Sequence, residues 1–440
     1  MFRWQSLQPA LLGIGVVLAA SGCDDLWHKV TGRGLSRGGD QNDEVGAQAP
    51  APNGPKLGAL ADLAPIFEKP QRESRRIGWL HAGGQVARST QPVSKQDCPA
   101  GWYSIYPRGF VCIGQGATVD LNHPTLSAMS LSPKLNEPLP YPYAQARVPT
   151  EVFAPNNEPD DGVHSIARLR PLSTFAVVGS WQALDETDQR QKLALMTQGT
   201  FVRVDDVKAA KPPPKRSVQI DGSRTSVPLG FVVGERARLW KLSGDEATPG
   251  NALASDAILS LGHKTRTLGD AHYCALEDGN WVQQTDIVAI RRRNDWPSFA
   301  SGNRHWVDID LQQGTIVLYE GERPTFAALT LAVPKNKTGF VTGPTVVLAK
   351  YITDKTLDPK TLDPSHEVYD VPWVVELANG LRLHGAFRQE RHTTVTSPRV
   401  ELAPEDAQRV WAWVDPQLPA GWHAVAASSD ASRRTDVLVR

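Results

Sequence analysis

The chain has 440 residues, with 47 Lys+Arg against 47 Asp+Glu and a hydrophobic share of 40%. Balanced charge supplies no net field to draw it onto nucleic acid, and the hydrophobic share is that of ordinary globular domains. The length allows roughly two to four domains. The 34 prolines and 36 glycines, set between short runs rich in Val, Trp, Tyr and Thr, predict a mainly β chain with few short helices.

Residues 1–23 read as an export signal. Arg3 supplies the positive start, and Leu11 to Ala20 ("LLGIGVVLAA") is an apolar run too short to span a bilayer. "LAASGCDD" then sets small residues ahead of Cys23 and resembles a bacterial lipobox. That resemblance implies lipidation of Cys23 and a membrane anchor without a spanning helix. The expected location is the periplasmic face of a bacterial membrane, with inner and outer membranes both open. Residues 24–75 are poor in aromatics and rich in Gly, Pro and polar residues, so a flexible tether is expected there.

The first ordered unit is expected over 76–124 as a small β-module of short aromatic strands and turns. In an oxidising compartment, Cys98 and Cys112, 14 residues apart, are a disulfide candidate within it. Residues 125–165 are Pro- and Asn-rich and read as an extended connection. Residues 166–300 read as further β-modules, with turns at Thr197 to Gly199 and at Asp278-Gly279. "GTFVRVDDV" and "GNWVQQTDIV" share a loose pattern that suggests an internal repeat. Cys274 lies on one of these strands and reads as a buried free thiol. "AIRRRND", Ala289 to Asp295, reads as a solvated basic loop, with contact to an acidic polymer as the sharper alternative.

From Trp306 the alternation of Val307, Ile309 and Leu311 predicts a strand with one buried face, followed by turns at Gln313-Gly314 and Glu320 to Arg323. "HWVDIDLQQGTIVLYEGERPTFAALTLA", then "YDVPWVVELANGLRLHGAF" with its intact His384-Gly385, then "VELAPEDAQRVWAWV" resemble the L,D-transpeptidase catalytic domain of the YkuD type. The resemblance covers about 120 residues and implies a β-sandwich domain over 301–440. It also extends to 76–124, which resembles the SH3-like and cysteine-containing modules that accompany such domains.

The family carries Ser-His-Gly-Cys ahead of a leucine and a helical Asp-Ala. Counting back from Leu402 and Asp406-Ala407 puts Arg399 at the cysteine, Pro398 at the glycine, Ser397 at the histidine and Thr396 at the serine. In the family a thiolate forms a thioester with a stem-peptide carbonyl, and a neighbouring histidine moves the proton. Guanidinium offers no nucleophilic lone pair, serine cannot act as base near neutral pH, and proline lacks the N–H that an oxyanion site would use.

The expected function is therefore that of an inactive family member binding peptidoglycan stem peptides or an envelope protein, with His384, Gly385 and Trp373 as groove candidates. The alternatives are an active transpeptidase using other groups, with Ser397 served by His392 or His384, and a structural envelope spacer. The 11 histidines show no metal-ligand spacing and no Gly-rich loop follows a strand, so neither metal nor cofactor is expected.

Overall fold

The computed structural model describes residues 49–114, 116–156, 162–184, 190–223, 225–335, 338–354, 369–387, 393–395, 397–430 and 433–440. The segment read as an export signal and Cys23, and also His392 and Thr396, lie outside the described residues. Among the described residues the fold is mainly β, with two short α-helices, Pro124–Ala128 and Pro404–Trp413.

Two seven-stranded sheets occupy the middle of the chain. The first runs from Tyr143–Ala146 to Val207–Ala209 and the second from Leu229–Val232 to Ile287–Ile290. Numbered along the chain within each unit, both follow the order third, second, sixth, fifth, fourth, first, seventh. Each has an 11-residue fourth strand and a single 3₁₀ turn before the last strand, at Val204–Asp206 and Gln284–Asp286. Gly199 and Gly279 supply the positive φ (76° and 86°) of the hairpin that precedes that turn. Counting back from these glycines, Cys274 stands where the first unit has Ala194; both are buried in their unit's core. Cys274 is a free thiol in a core position.

These boundaries correct the sequence reading. Tyr143–Ala146 and Thr150–Pro155 are strands of the first sheet, not part of a connection ending at 165. Nor does a tether reach 75: Lys56–Ala59 and Ala64–Phe67 are strands with Leu57 and Ile66 in a core. The segment over 76–124 is not a free-standing module. Arg76–Leu80 pairs through Gly78 and Trp79 with Val425 and Ala424 near the C-terminus. A Cβ on Gly78 would lie 2.4 Å from the Trp422 ring, so only glycine admits this packing. Cys98 and Cys112 form a disulfide beside Phe67 and Trp102 in a small core of their own.

The C-terminal region is built of two sheets that share one strand. His305–Asp310, Thr315–Glu320 and Arg323–Leu329 form a meander, and Asp436–Val439 adds in parallel. The 12-residue strand Gly343–Asp354 pairs with Asp436–Val439 over its first residues. From Val347 onward it pairs with Val371–Leu377, with a register shift between Val347 and Ala349. Arg382–Gly385 and Arg399–Leu402 continue this second sheet. Val307, Ile309, Leu318, Val375, Leu383 and Val400 share one core with Ala407, Val410 and Trp411 of the helix Pro404–Trp413. The meander's first strand is buried on both faces, not on one: Asp308 and Asp310 are as enclosed as Val307 and Ile309.

Lys350 fixes the helix to this sheet. It is fully buried, and its Nζ donates to the carbonyls of Trp411 (3.0 Å) and Val414 (2.9 Å) at the helix C-terminus. The ammonium also sits 4.4 Å from the centre of the Trp411 ring. It thus meets carbonyls that a helix leaves without partners. Burial lowers its pKa to about 8. Lys350→Met would strand the Trp411 carbonyl and leave that of Val414 with Gln417 Nε2 alone, at 3.4 Å; it is expected to lower stability by about 2 kcal/mol, read as a lower urea midpoint at unchanged slope.

Candidate functional site

Arg382–Gly385 and Arg399–Leu402 run in parallel, with Arg382 beside Arg399, Leu383 beside Val400, His384 beside Glu401 and Gly385 beside Leu402. Strand alternation puts Leu383, Val400 and Leu402 on the core face. Arg382, His384, Arg399 and Glu401 share the opposite face.

That face is closed at the sequence-predicted nucleophile position. His384, Arg399 and Glu401 are each 4% exposed. Arg399 Nε donates to Glu401 Oε1 at 2.9 Å, so the guanidinium is held by the carboxylate two residues along its own strand. Arg382 is held separately by Asp354, at 2.7 Å, with Glu376 at 3.8 Å. The His384 ring contacts the Gly385 carbonyl through Nδ1 at 3.0 Å. Burial lowers its pKa to about 4; Arg399 and Arg382 lower it too, while Glu401 and the Gly385 carbonyl act the other way. His384 is therefore neutral at pH 7.

Ser397 is buried, and its Oγ has no hydrogen-bond partner among the described residues. Its carbonyl accepts the Arg399 N–H, and the Pro398 carbonyl accepts the Arg382 N–H, which ties the bend to both strands. Pro398 faces Gly339, whose φ is 85°; a Cβ there would lie 3.4 Å from the proline ring. No pair of nucleophile and base is assembled from Ser397 and His384. Trp373, expected as a groove residue, is instead core: it is fully buried at a left-handed φ of 60°, packs 5.1 Å from the Trp411 ring and donates to the Pro138 carbonyl. His384 and Gly385 likewise line no open groove among the described residues, because both are buried.

A second polar cluster had no signature in the sequence. His81 and His423 stack with ring centres 4.6 Å apart, and His81 Nε2 lies 3.2 Å from Asp62 Oδ1. His423 Nε2 lies 2.7 Å from the Thr353 carbonyl, and Nδ1 is buried without a partner among the described residues. Asp370 is buried beside them, accepts from Gln198 at 3.0 Å, and is raised to about pKa 6 chiefly by desolvation. The space between these groups is about 10 Å³, the scale of one water. Among the described residues no group of His, Cys, Asp and Glu is arranged to hold a metal ion.

The structural neighbours are L,D-transpeptidases. An enzyme from Stackebrandtia nassauensis is 16% identical over 32% of this chain and 57% of its own, with a TM-score of 0.22. One from Xylanimonas cellulosilytica is 17% identical over 34% of this chain and 65% of its own, also at 0.22. One from Mycobacterium smegmatis is 14% identical over 52% of this chain and 99% of its own, at 0.24. The chain thus spans less than two thirds of the length of the first two. At these identities and TM-scores the likeness carries no argument about chemistry. No protein-family model and no curated protein matches the sequence.

Proposed function

We propose that this chain is a non-catalytic relative of the L,D-transpeptidases, held at the periplasmic face of a bacterial membrane through lipid on Cys23, that binds peptidoglycan stem peptides or an envelope protein. One observation carries the loss of chemistry: the residue at the nucleophile position, Arg399, is buried and paired with Glu401. Acyl transfer needs a nucleophile and a base in hydrogen-bond reach and a site open to substrate. Here the guanidinium fills that place, Ser397 stands without an imidazole partner, and His384 is enclosed.

The full-length protein, purified in detergent and incubated with muropeptides, is expected to yield no crosslinked dimers while being retained on isolated peptidoglycan. Crosslinked dimers that disappear in Ser397→Ala or His384→Ala would overturn the non-catalytic reading. Failure to bind either peptidoglycan or an envelope protein would leave the protein a spacer rather than a binder.

A further inference from the structure

The basic run after the second seven-stranded sheet is part of a cavity. A hollow of about 540 Å³ lies between the strand Ile287–Ile290 with its following loop and the outer face of the C-terminal meander. Four arginines line it, Arg291, Arg292 and Arg293 from the loop and Arg440 at the chain's C-terminus, against two aspartates, Asp295 and Asp308. This volume is in the range of small-molecule sites, which favour the seams between structural units.

The four arginines are not equivalent. Arg293 is held inside: Nη1 lies 3.0 Å from Asp308 Oδ1, Nη2 lies 3.1 Å from Asp295 Oδ2, and the guanidinium is 5.9 Å from the centre of the Trp306 ring. Arg440 is half-exposed, and its two terminal nitrogens meet Asp310 (2.8 Å) and Asp308 (3.1 Å). Asp308 and Asp310 are buried, so these two guanidiniums are fixed by carboxylates that solvent does not reach. Arg291 and Arg292 are exposed at the rim, and neither forms an ion pair among the described residues; Arg291 reaches only the Cys274 sulfur, at 3.7 Å. The hollow therefore sets a floor of two guanidiniums paired with three carboxylates, Asp295, Asp308 and Asp310, beneath two cations without ion pairs at its edge. Val317 and Tyr319 add apolar wall, and Gln313 and Thr315 add neutral polar groups.

Guanidinium presents a planar fork of donors that matches carboxylate and phosphate oxygens. A buried acid–base floor lowers the entropic cost of ordering such donors around a ligand. We propose that this cavity binds a small organic anion carrying more than one carboxylate or phosphate group. The site is separate from the Arg399–Glu401 position and does not depend on the reading given for it.

Isothermal titration of the full-length protein in neutral detergent with citrate in one arm and fructose 1,6-bisphosphate in the other tests the site. Saturable binding in either arm is expected, and the arm that binds assigns the ligand chemistry. The double variant Arg291→Gln/Arg292→Gln touches only exposed rim residues and is expected to weaken that binding about tenfold or more. Lys134→Gln, an exposed charge change remote in sequence, is expected to leave it unchanged. Absence of saturable binding in both arms, or equal weakening by Lys134→Gln, would overturn the proposal. So would binding that the rim variant leaves intact.

Discussion

Truncating Glu401 to alanine is expected to destabilise the protein by about 3–5 kcal/mol, the cost of leaving a buried cation without its partner. The Arg399 guanidinium and the Glu401 carboxylate are both 4% exposed and 2.9 Å apart, so water is not at hand to replace the lost carboxylate. The double replacement Arg399→Met/Glu401→Leu removes both charges and keeps most of the volume. It is expected to return to within about 1 kcal/mol of the parent, because an apolar pair avoids the desolvation cost altogether. Urea unfolding of the parent, Arg399→Met, Glu401→Leu and the double variant gives the coupling energy directly. A Glu401→Ala cost below about 1 kcal/mol would mean that the guanidinium is hydrated. The position that the sequence reading assigns to the nucleophile would then be an open cleft, and the case for a closed site would fail.

The chain's local chemistry was legible where short-range rules decide it. Gly199, Gly279 and Gly314 all adopt the positive φ that their hairpin turns require. The strand ending in His384-Gly385 and the helix starting at Pro404 stand where the resemblance read in the sequence put them. What was not legible depends on distant partners. Leu57 and Ile66 lie in four-residue strands inside a Gly- and Pro-rich stretch; their burial comes from Val86 and Ile77, with which they share a core. The stacked pair of His81 and His423 draws on residues hundreds of positions apart and has no spacing to detect. Strand period alone places Arg399 and Glu401 on one face. Only the fold, however, shows that the face is covered and that the two charges serve each other. Arg291 to Arg293 were visible as a run, yet their meaning depends on Asp308, from a strand of another sheet.

His384 is expected to make stability depend on pH in a way that reports whether the site is closed. In the unfolded chain its imidazole takes up a proton near pH 6.5, as an unperturbed histidine does. In the folded protein burial holds it neutral down to about pH 4. Between those values the unfolded state binds the extra proton, so unfolding free energy rises with pH. The contribution is complete above pH 6.5 and is lost as pH falls toward 4, to a total of about 3 kcal/mol. His423, lowered to about pKa 3 mainly by burial, acts in the same direction. Asp370 and Asp406 oppose both. Desolvation raises each to about pKa 6, so the folded state keeps protons that the unfolded carboxyls have released, and stability falls as pH rises from about 4 to 6. The parent's own profile is flattened by this opposition, and the difference between parent and His384→Gln isolates the imidazole. That difference is expected to change by about 3 kcal/mol between pH 4 and 7, with the parent losing stability relative to the variant on acidification. Parallel profiles would place His384 in contact with water, able to exchange protons as a working base must. A diverging pair would fit an imidazole sealed behind the Arg399–Glu401 pair, unable to serve a nucleophile.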